Sequence, residues 1–245
     1  MTQIAKGFVQ IPQGELTIDA YLARPEGDTP RPAVLVIQEV FGVNHHIQNV
    51  TGRIAREGYV AIAPAIYQRT APGFATGYTP AELELGRSHA QQTTAEQLIQ
   101  DLQATIDYLK SSGLTTGSIG CIGFCFGGHV AYLAATAIPE IKATASFYGA
   151  GIATRTPGGG PPTISRTKDI QGNIYIFFGT ADPSIPLDQV EAIRAELQKY
   201  QINHQIFLYE GAEHGFFCDE RPSYNPTWAA QAFEEVKALF AKELV

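Results

Sequence analysis

Gly123-Phe124-Cys125-Phe126-Gly127 is the stretch of this chain best suited to do chemistry. It has the form Gly-x-Cys-x-Gly, a nucleophile elbow with a thiol in place of the usual hydroxyl. An apolar run ends at Gly123, and a helix-compatible segment, Val130-Ala131-Tyr132-Leu133-Ala134-Ala135, starts past Gly128. A strand that turns sharply into a helix holds one residue at positive φ, and glycines two residues to either side let neighbouring backbone pass close by. The free N–H groups and positive dipole end of the helix then face the thiol, where they favour a thiolate and hold an oxyanion. Such a nucleophile needs a base within hydrogen-bond reach and a third group to orient the base. Asp182 in Gly179-Thr180-Ala181-Asp182-Pro183 and His214 in Glu210-Gly211-Ala212-Glu213-His214-Gly215-Phe216 offer that pair. Each residue alone has a plain alternative: a small buried thiol, a turn aspartate, a solvated loop histidine. Their joint order, each after its own strand, argues for catalysis.

Those strands are legible. Ala33-Val34-Leu35-Val36-Ile37 and Tyr59-Val60-Ala61-Ile62-Ala63 are continuous apolar runs, as expected of strands buried on both faces. Further strands are expected over 143–148, 174–178 and 205–209, and a hairpin joins 8–11 to 16–22 around Gln13-Gly14. Helical spacing covers Ile47, Val50, Ile54 and Ala55, then Leu98, Leu102, Ile106 and Leu109 behind a Thr94/Gln97 capping box. Two more helices are expected over 187–200 and from Asn225 and Pro226 to near the C-terminus. Residues 65–93 read as a long surface loop or cap, and 151–172 as loop. Alternating strands and helices predict an α/β fold in a single domain, 1–245. It has a mostly parallel central sheet, helices on both faces and an N-terminal antiparallel hairpin. Chemistry in such sheets lies beyond the carboxyl ends of the strands, where Glu39, Cys125, Asp182 and His214 fall.

The bulk numbers exclude other classes. The 245 residues carry 17 Lys+Arg against 24 Asp+Glu, a net charge of −7, with no basic cluster that could track nucleic acid. No apolar run reaches membrane-spanning length, and the N-terminal Met1-Thr2-Gln3-Ile4-Ala5-Lys6 lacks a signal pattern. Three cysteines, Cys121, Cys125 and Cys218, build no disulfide framework, so a reducing, cytoplasmic setting is expected. His45-His46 has no thiolate or carboxylate at ligand spacing, so solvation at a helix start is expected and no metal.

With Gln38-Glu39-Val40-Phe41-Gly42, the 120–128 elbow, Asp182 and the 211–216 segment on the page, the chain resembles the dienelactone hydrolase (carboxymethylenebutenolidase) family of the α/β-hydrolase fold. The order cysteine, acid, histidine is that fold's order. The resemblance covers nearly the whole chain. It implies a cofactor-free hydrolase of enol-lactones or small esters, working through an acyl-enzyme. Cys125 attacks the carbonyl, His214 serves as base and then acid, and Asp182 fixes the imidazole tautomer. The backbone N–H groups of Phe126 and Val40 hold the oxyanion. Glu39, at the position of a family glutamate, takes part in generating the thiolate as substrate binds. A carboxylate beside a thiol raises the thiol pKa unless it is itself drawn elsewhere.

One position departs from the family. The arginine expected four residues after the histidine, to bind a substrate carboxylate, is Cys218 here. Arg221 and Arg69 are the candidates to replace it. Phe41, Phe126 and Phe216 are expected as apolar walls, Tyr148 as pocket lining or core packing, and Cys121 as core. The competing readings are a broader carboxylesterase or thioesterase without a carboxylate requirement, a non-catalytic ligand-binding scaffold, and a thiol redox sensor with Cys218 as the resolving partner. The partner expected is a small-molecule lactone or ester, and the chain a monomer or small homo-oligomer.

Overall fold

The computed structural model describes residues 3–245; Met1 and Thr2, part of the stretch read for a signal pattern, lie outside the described residues. β1 (Ile4–Gln13) and β2 (Leu16–Pro25) form an antiparallel hairpin turned by Gly14 and Glu15, with Gly14 at φ 60°. β3 (Arg31–Ile37), β4 (Val60–Pro64), β5 (Thr115–Phe124), β6 (Ile141–Phe147), β7 (Asn173–Gly179) and β8 (His204–Tyr209) follow. All eight strands make one sheet in the order β1-β2-β4-β3-β5-β6-β7-β8. The hairpin joins β4 antiparallel, and every pairing from β4 onward is parallel. Parallel neighbours need crossover connections, and the helices supply them.

Those helices are α1 (His45–Arg56), α2 (Pro80–Gln91), α3 (Ala95–Ser111), α4 (Phe126–Ala137), α5 (Leu187–Lys199) and α6 (Pro226–Glu243). One buried cluster joins the sheet to α1 and α6 through Val50, Ile54, Val236 and Leu239; a second joins it to α3 and α4 through Leu98, Leu102, Ile106, Val130 and Leu133. Burying each such side chain contributes about 1.5–3 kcal/mol, so both faces of the sheet are covered. Thr94 caps α3 by accepting from the Gln97 N–H, and Asn225 caps α6 by accepting from Trp228, with Pro226 in the first turn.

α2 lies inside residues expected as a loop or cap. It buries only Gly86 of its own residues, so apolar periodicity does not reveal it. Its stability comes from a reciprocal capping box between Thr79 and Glu82, with Pro80 in the first turn. Glu82 also accepts from Thr76 Oγ1 at 2.8 Å and from the Gly77 N–H at 3.1 Å. A Cβ at Gly86 would lie 2.4 Å from the Val40 carbonyl oxygen, so α2 rests directly on the segment that follows β3. Residues 151–172, expected as loop, include a short 3-10 turn over Thr163–Asp169.

Candidate active site

Cys125 stands between β5 and α4 at φ 55°, ψ −118°. That conformation costs a non-glycine residue about 1–3 kcal/mol and persists only where its surroundings impose it. Here the Cys125 N–H donates to Phe147 O at 3.0 Å, while its carbonyl accepts from the Gly128 and His129 N–H groups at 3.0 and 3.2 Å. A Cβ on Gly123 would lie 2.0 Å from Gly127 O, and one on Gly127 2.3 Å from Gln38 O. The second contact presses the elbow onto the end of β3, so Val40, Cys125 and Phe126 line one cavity of about 810 Å³. Neither the Phe126 nor the Val40 N–H donates to another backbone group among the described residues. Phe126 opens α4, where N–H groups have no intrahelical acceptor.

His214 lies in the turn after β8, with Nδ1 2.7 Å from Asp182 Oδ2. The other oxygen of Asp182 accepts from the Ser184 N–H at 2.8 Å, and Ser223 Oγ donates to the His214 carbonyl at 2.8 Å. Nδ1 therefore carries a proton, and Nε2 remains for Cys125. Burial alone lowers the imidazole pKa. The charge of Cys125 and the hydrogen bond to Asp182 outweigh it and push His214 up to about 10. Asp182 is 5% exposed, which keeps the pair in low dielectric.

Glu39 is buried just past β3, where Oε1 accepts from Arg221 Nη1 at 3.2 Å and Oε2 is buried with no partner among the described residues. The carboxylate is thus drawn to a guanidinium. For Arg221, burial opposes the charge and Glu39 favours it, and the balance raises its pKa. Arg221 reaches the cavity although it is displaced in sequence from the expected position. Successive turns over 215–224 (Cys218 N–H to Gly215 O, Arg221 N–H to Cys218 O, Tyr224 N–H to Arg221 O) fold it back over Gly215. Its guanidinium lies 5.7 Å from the centre of the Phe41 ring. Cys218 sits beneath, fully buried, with Sγ 3.3 Å from Tyr78 Oη. Burial and the nearby Glu39 charge push its thiol up to about 12. Cys121 is likewise buried in β5.

Several expected residues fall elsewhere. Arg69 does not reach the cavity: Asp101 Oδ1 at 2.7 Å and Gln13 Oε1 at 2.8 Å hold its guanidinium in a separate surface depression. Phe216 is no cavity wall, because the turn at Gly215 sends its ring inward against Tyr148 and Tyr209, 5.3 Å from each. Phe41 and Phe126 do line the cavity. Tyr148, at φ 38°, sets its ring 5.1 Å from the His214 ring, edge to face. Its hydroxyl is buried without a partner among the described residues, and burial followed by the Glu39 charge raises its pKa. His46 is not solvated: it is 1% exposed and its Nδ1 lies 3.1 Å from Asp219 Oδ1, while His45 contacts Glu220. Among the described residues, no group of three or more His, Cys, Asp or Glu side chains could hold a metal ion, and no helix is long and apolar enough to cross a membrane.

The cavity also has walls that the motifs do not mark. α2 contributes Leu83, Glu84 and Arg87, and the loop after β6 contributes Thr154 and Arg155. His129, on α4, holds that loop: Nδ1 donates to Ala150 O at 3.1 Å and Nε2 accepts from Thr163 Oγ1 at 2.7 Å. Burial and the charge of Arg155 push His129 down to about 4, which keeps it neutral. The Thr79-x-x-Glu82 box was the available signal for α2; the loop has no local signal of its own.

A sequence profile described as the dienelactone hydrolase family matches residues 18–244. A Synechocystis sp. protein assigned as a carboxymethylenebutenolidase is 54% identical over 238 residues, covering 97% of this chain and 96% of that relative. An Escherichia coli K12 protein with the same assignment is 31% identical, covering 97% of this chain and 87% of the relative. A crystal structure of a Klebsiella pneumoniae protein assigned as a dienelactone hydrolase superposes with a TM-score of 0.89. It is 31% identical and covers 98% of this chain and 99% of its own. The chain belongs to the dienelactone hydrolase family and is a hydrolase of ester-type bonds.

Proposed function

We propose that this dienelactone hydrolase family member cleaves enol-lactones or small esters with Cys125 as nucleophile, His214 as base and then acid, and Asp182 as the carboxylate that orients it. The observation that carries the reading is the 2.7 Å contact between His214 Nδ1 and Asp182 Oδ2, which leaves Nε2 to serve Cys125. His214 is pushed up to about 10, against its burial, first by the charge of Cys125, and an imidazolium is the partner a thiolate needs.

In this reading the Cys125 sulfur attacks the carbonyl carbon, and the C–S bond forms as the carbonyl electrons move onto oxygen. The N–H groups of Phe126 and Val40 receive that oxyanion; one such donor is worth about 10²–10³ in kcat. Collapse breaks the C–O bond, and the leaving oxygen takes the proton from His214 Nε2. In a lactone the leaving oxygen stays tethered to the acyl group. Water then attacks the thioester as Nε2 removes its proton, and the thiolate leaves with the acid formed. The strain at Cys125 keeps the sulfur facing the cavity through both halves.

The carboxymethylenebutenolidase assignment of the relatives supports an enol-lactone as the substrate class. Arg221, on the cavity wall, supports recognition of a substrate carboxylate, since a guanidinium binds one in bidentate fashion. A second reading, ester hydrolysis with no carboxylate requirement, is favoured by the pairing of Arg221 with Glu39. Equal kcat/KM for cis-dienelactone and its neutral methyl ester would select the second. Cys125→Ala is expected to leave less than about 1% of turnover on dienelactone and on p-nitrophenyl acetate. Retention of more than that removes Cys125 as nucleophile.

A further inference from the structure

We infer that Arg155 is a second anion-recognising side chain of the catalytic cavity, so that the chain favours substrates and products bearing two anionic groups over those bearing one. The inference rests on the cavity around Cys125 being the ester site. Three arginines line that cavity: Arg87, Arg155 and Arg221. Two are occupied. Arg221 Nη1 lies 3.2 Å from Glu39 Oε1, and Arg87 Nη1 lies 3.6 Å from Glu84 Oε2 on its own helix. Arg155 pairs with no carboxylate among the described residues, in a chain whose net charge is −7. An unpaired guanidinium facing a catalytic cavity in an acidic protein is suited to select anions.

Arg155 is exposed, and the backbone that carries it is held in place. A Cβ on Gly151 would meet Arg155 Nε at 2.6 Å and Cζ at 3.0 Å, so the stem and head lie across a glycine that leaves them room. The Arg155 N–H donates to Gly151 O at 2.9 Å, and its carbonyl accepts from the Thr163 N–H at 3.1 Å. Thr163 Oγ1 in turn meets His129 Nε2 at 2.7 Å and Thr156 Oγ1 at 3.0 Å. Two residues past Arg155, Pro157 O accepts from the Ala95 N–H at 2.9 Å, which pins the loop to the start of α3. A guanidinium on a fixed backbone loses less freedom when it binds, which favours recognition. Arg155 and Arg221 come from different walls, the loop after β6 and the turns after His214, so a ligand with an anion at each end can engage both.

Titration calorimetry with succinate, adipate and suberate, each against the monocarboxylate of equal length, tests this directly. At least one dicarboxylate is expected to bind about tenfold more tightly than its monocarboxylate, as a further charge-assisted contact implies. Arg155→Gln is expected to cut that advantage to about twofold or less, and Arg155→Lys to retain part of it, with the melting temperature of each variant read alongside. An advantage that survives Arg155→Gln, or no advantage for any of the three in the wild type, overturns the inference. The readout is binding, so it stands apart from turnover: loss of the Cys125 assignment by Cys125→Ala leaves this result unaffected.

Discussion

Asp182→Asn keeps the shape of the acid and exchanges one oxygen for an amide nitrogen. The oxygen that accepts from the Ser184 N–H at 2.8 Å must remain an oxygen, so the new NH₂ faces His214 Nδ1 in place of the carboxylate now 2.7 Å away. Nδ1 then has to accept, the proton moves to Nε2, and the imidazole can no longer take a proton from the thiol. The charge and hydrogen bond of Asp182, which help hold His214 up to about 10, are lost as well. In a serine triad the same exchange costs about 10⁴ in kcat. A thiol ionises more readily than a hydroxyl, so about 10²–10³ is expected here at neutral pH, roughly 3–4 kcal/mol. The assay is kcat/KM on p-nitrophenyl acetate between pH 6 and pH 10. Wild type should hold its rate while the imidazolium persists; the variant should start low and climb with pH as the thiol ionises unaided. A variant within about fivefold of wild type at pH 7, or one with a parallel profile, refutes the reasoning.

Arg221→Gln should leave Glu39, 1% exposed, without the cation it bonds, and breaking a buried pair costs about 3–5 kcal/mol in urea unfolding. Adding Glu39→Gln should restore most of that loss, and strictly additive losses would contradict the coupling. Glu39→Gln alone should shift the pH dependence of Cys125 alkylation by iodoacetamide; an unchanged profile removes Glu39 from thiolate generation. Stability should also fall on both sides of neutrality. His129 is pushed down to about 4 against about 6.5 unfolded, so its contribution, about 3 kcal/mol, is full above 6.5 and lost as pH falls through 4. His214 is raised to about 10, so its contribution is full below about 6.5 and declines as pH rises through 10. Unfolding midpoints should show the acid limb disappear in His129→Gln, and an acid limb that persists would contradict the assignment.

What could be read from the sequence followed from how local each signal was. β3 and β4 announce themselves as apolar runs because both faces are covered, and Asn225-Pro226 marks the start of α6 because capping is set by neighbours in the chain. The elbow and the order Cys125, Asp182, His214 were visible because parallel topology delivers every strand end to one edge. Pairings across the chain were not visible. Arg69 looked free until Asp101, from α3, closed on it, and Arg221 looked misplaced until the turns over 215–224 carried it to Glu39. The inward turn of Phe216 depends on Gly215 at φ 84° and an aromatic cluster assembled from the ends of β6 and β8. α2 buries only Gly86 and so has no apolar periodicity, and its Thr79–Glu82 cap marks where a helix can start without showing that one continues.

The central claim is a covalent acyl group on Cys125. p-Nitrophenyl trimethylacetate, whose hindered acyl group leaves a thioester slowly, should release one equivalent of p-nitrophenol per chain in a burst. Acid quench and peptide mass spectrometry should then find the trimethylacetyl group on the peptide containing Cys125, in amount equal to the burst. A burst with the acyl group on any other residue, or turnover above about 1% of wild type in Cys125→Ala, would contradict the account.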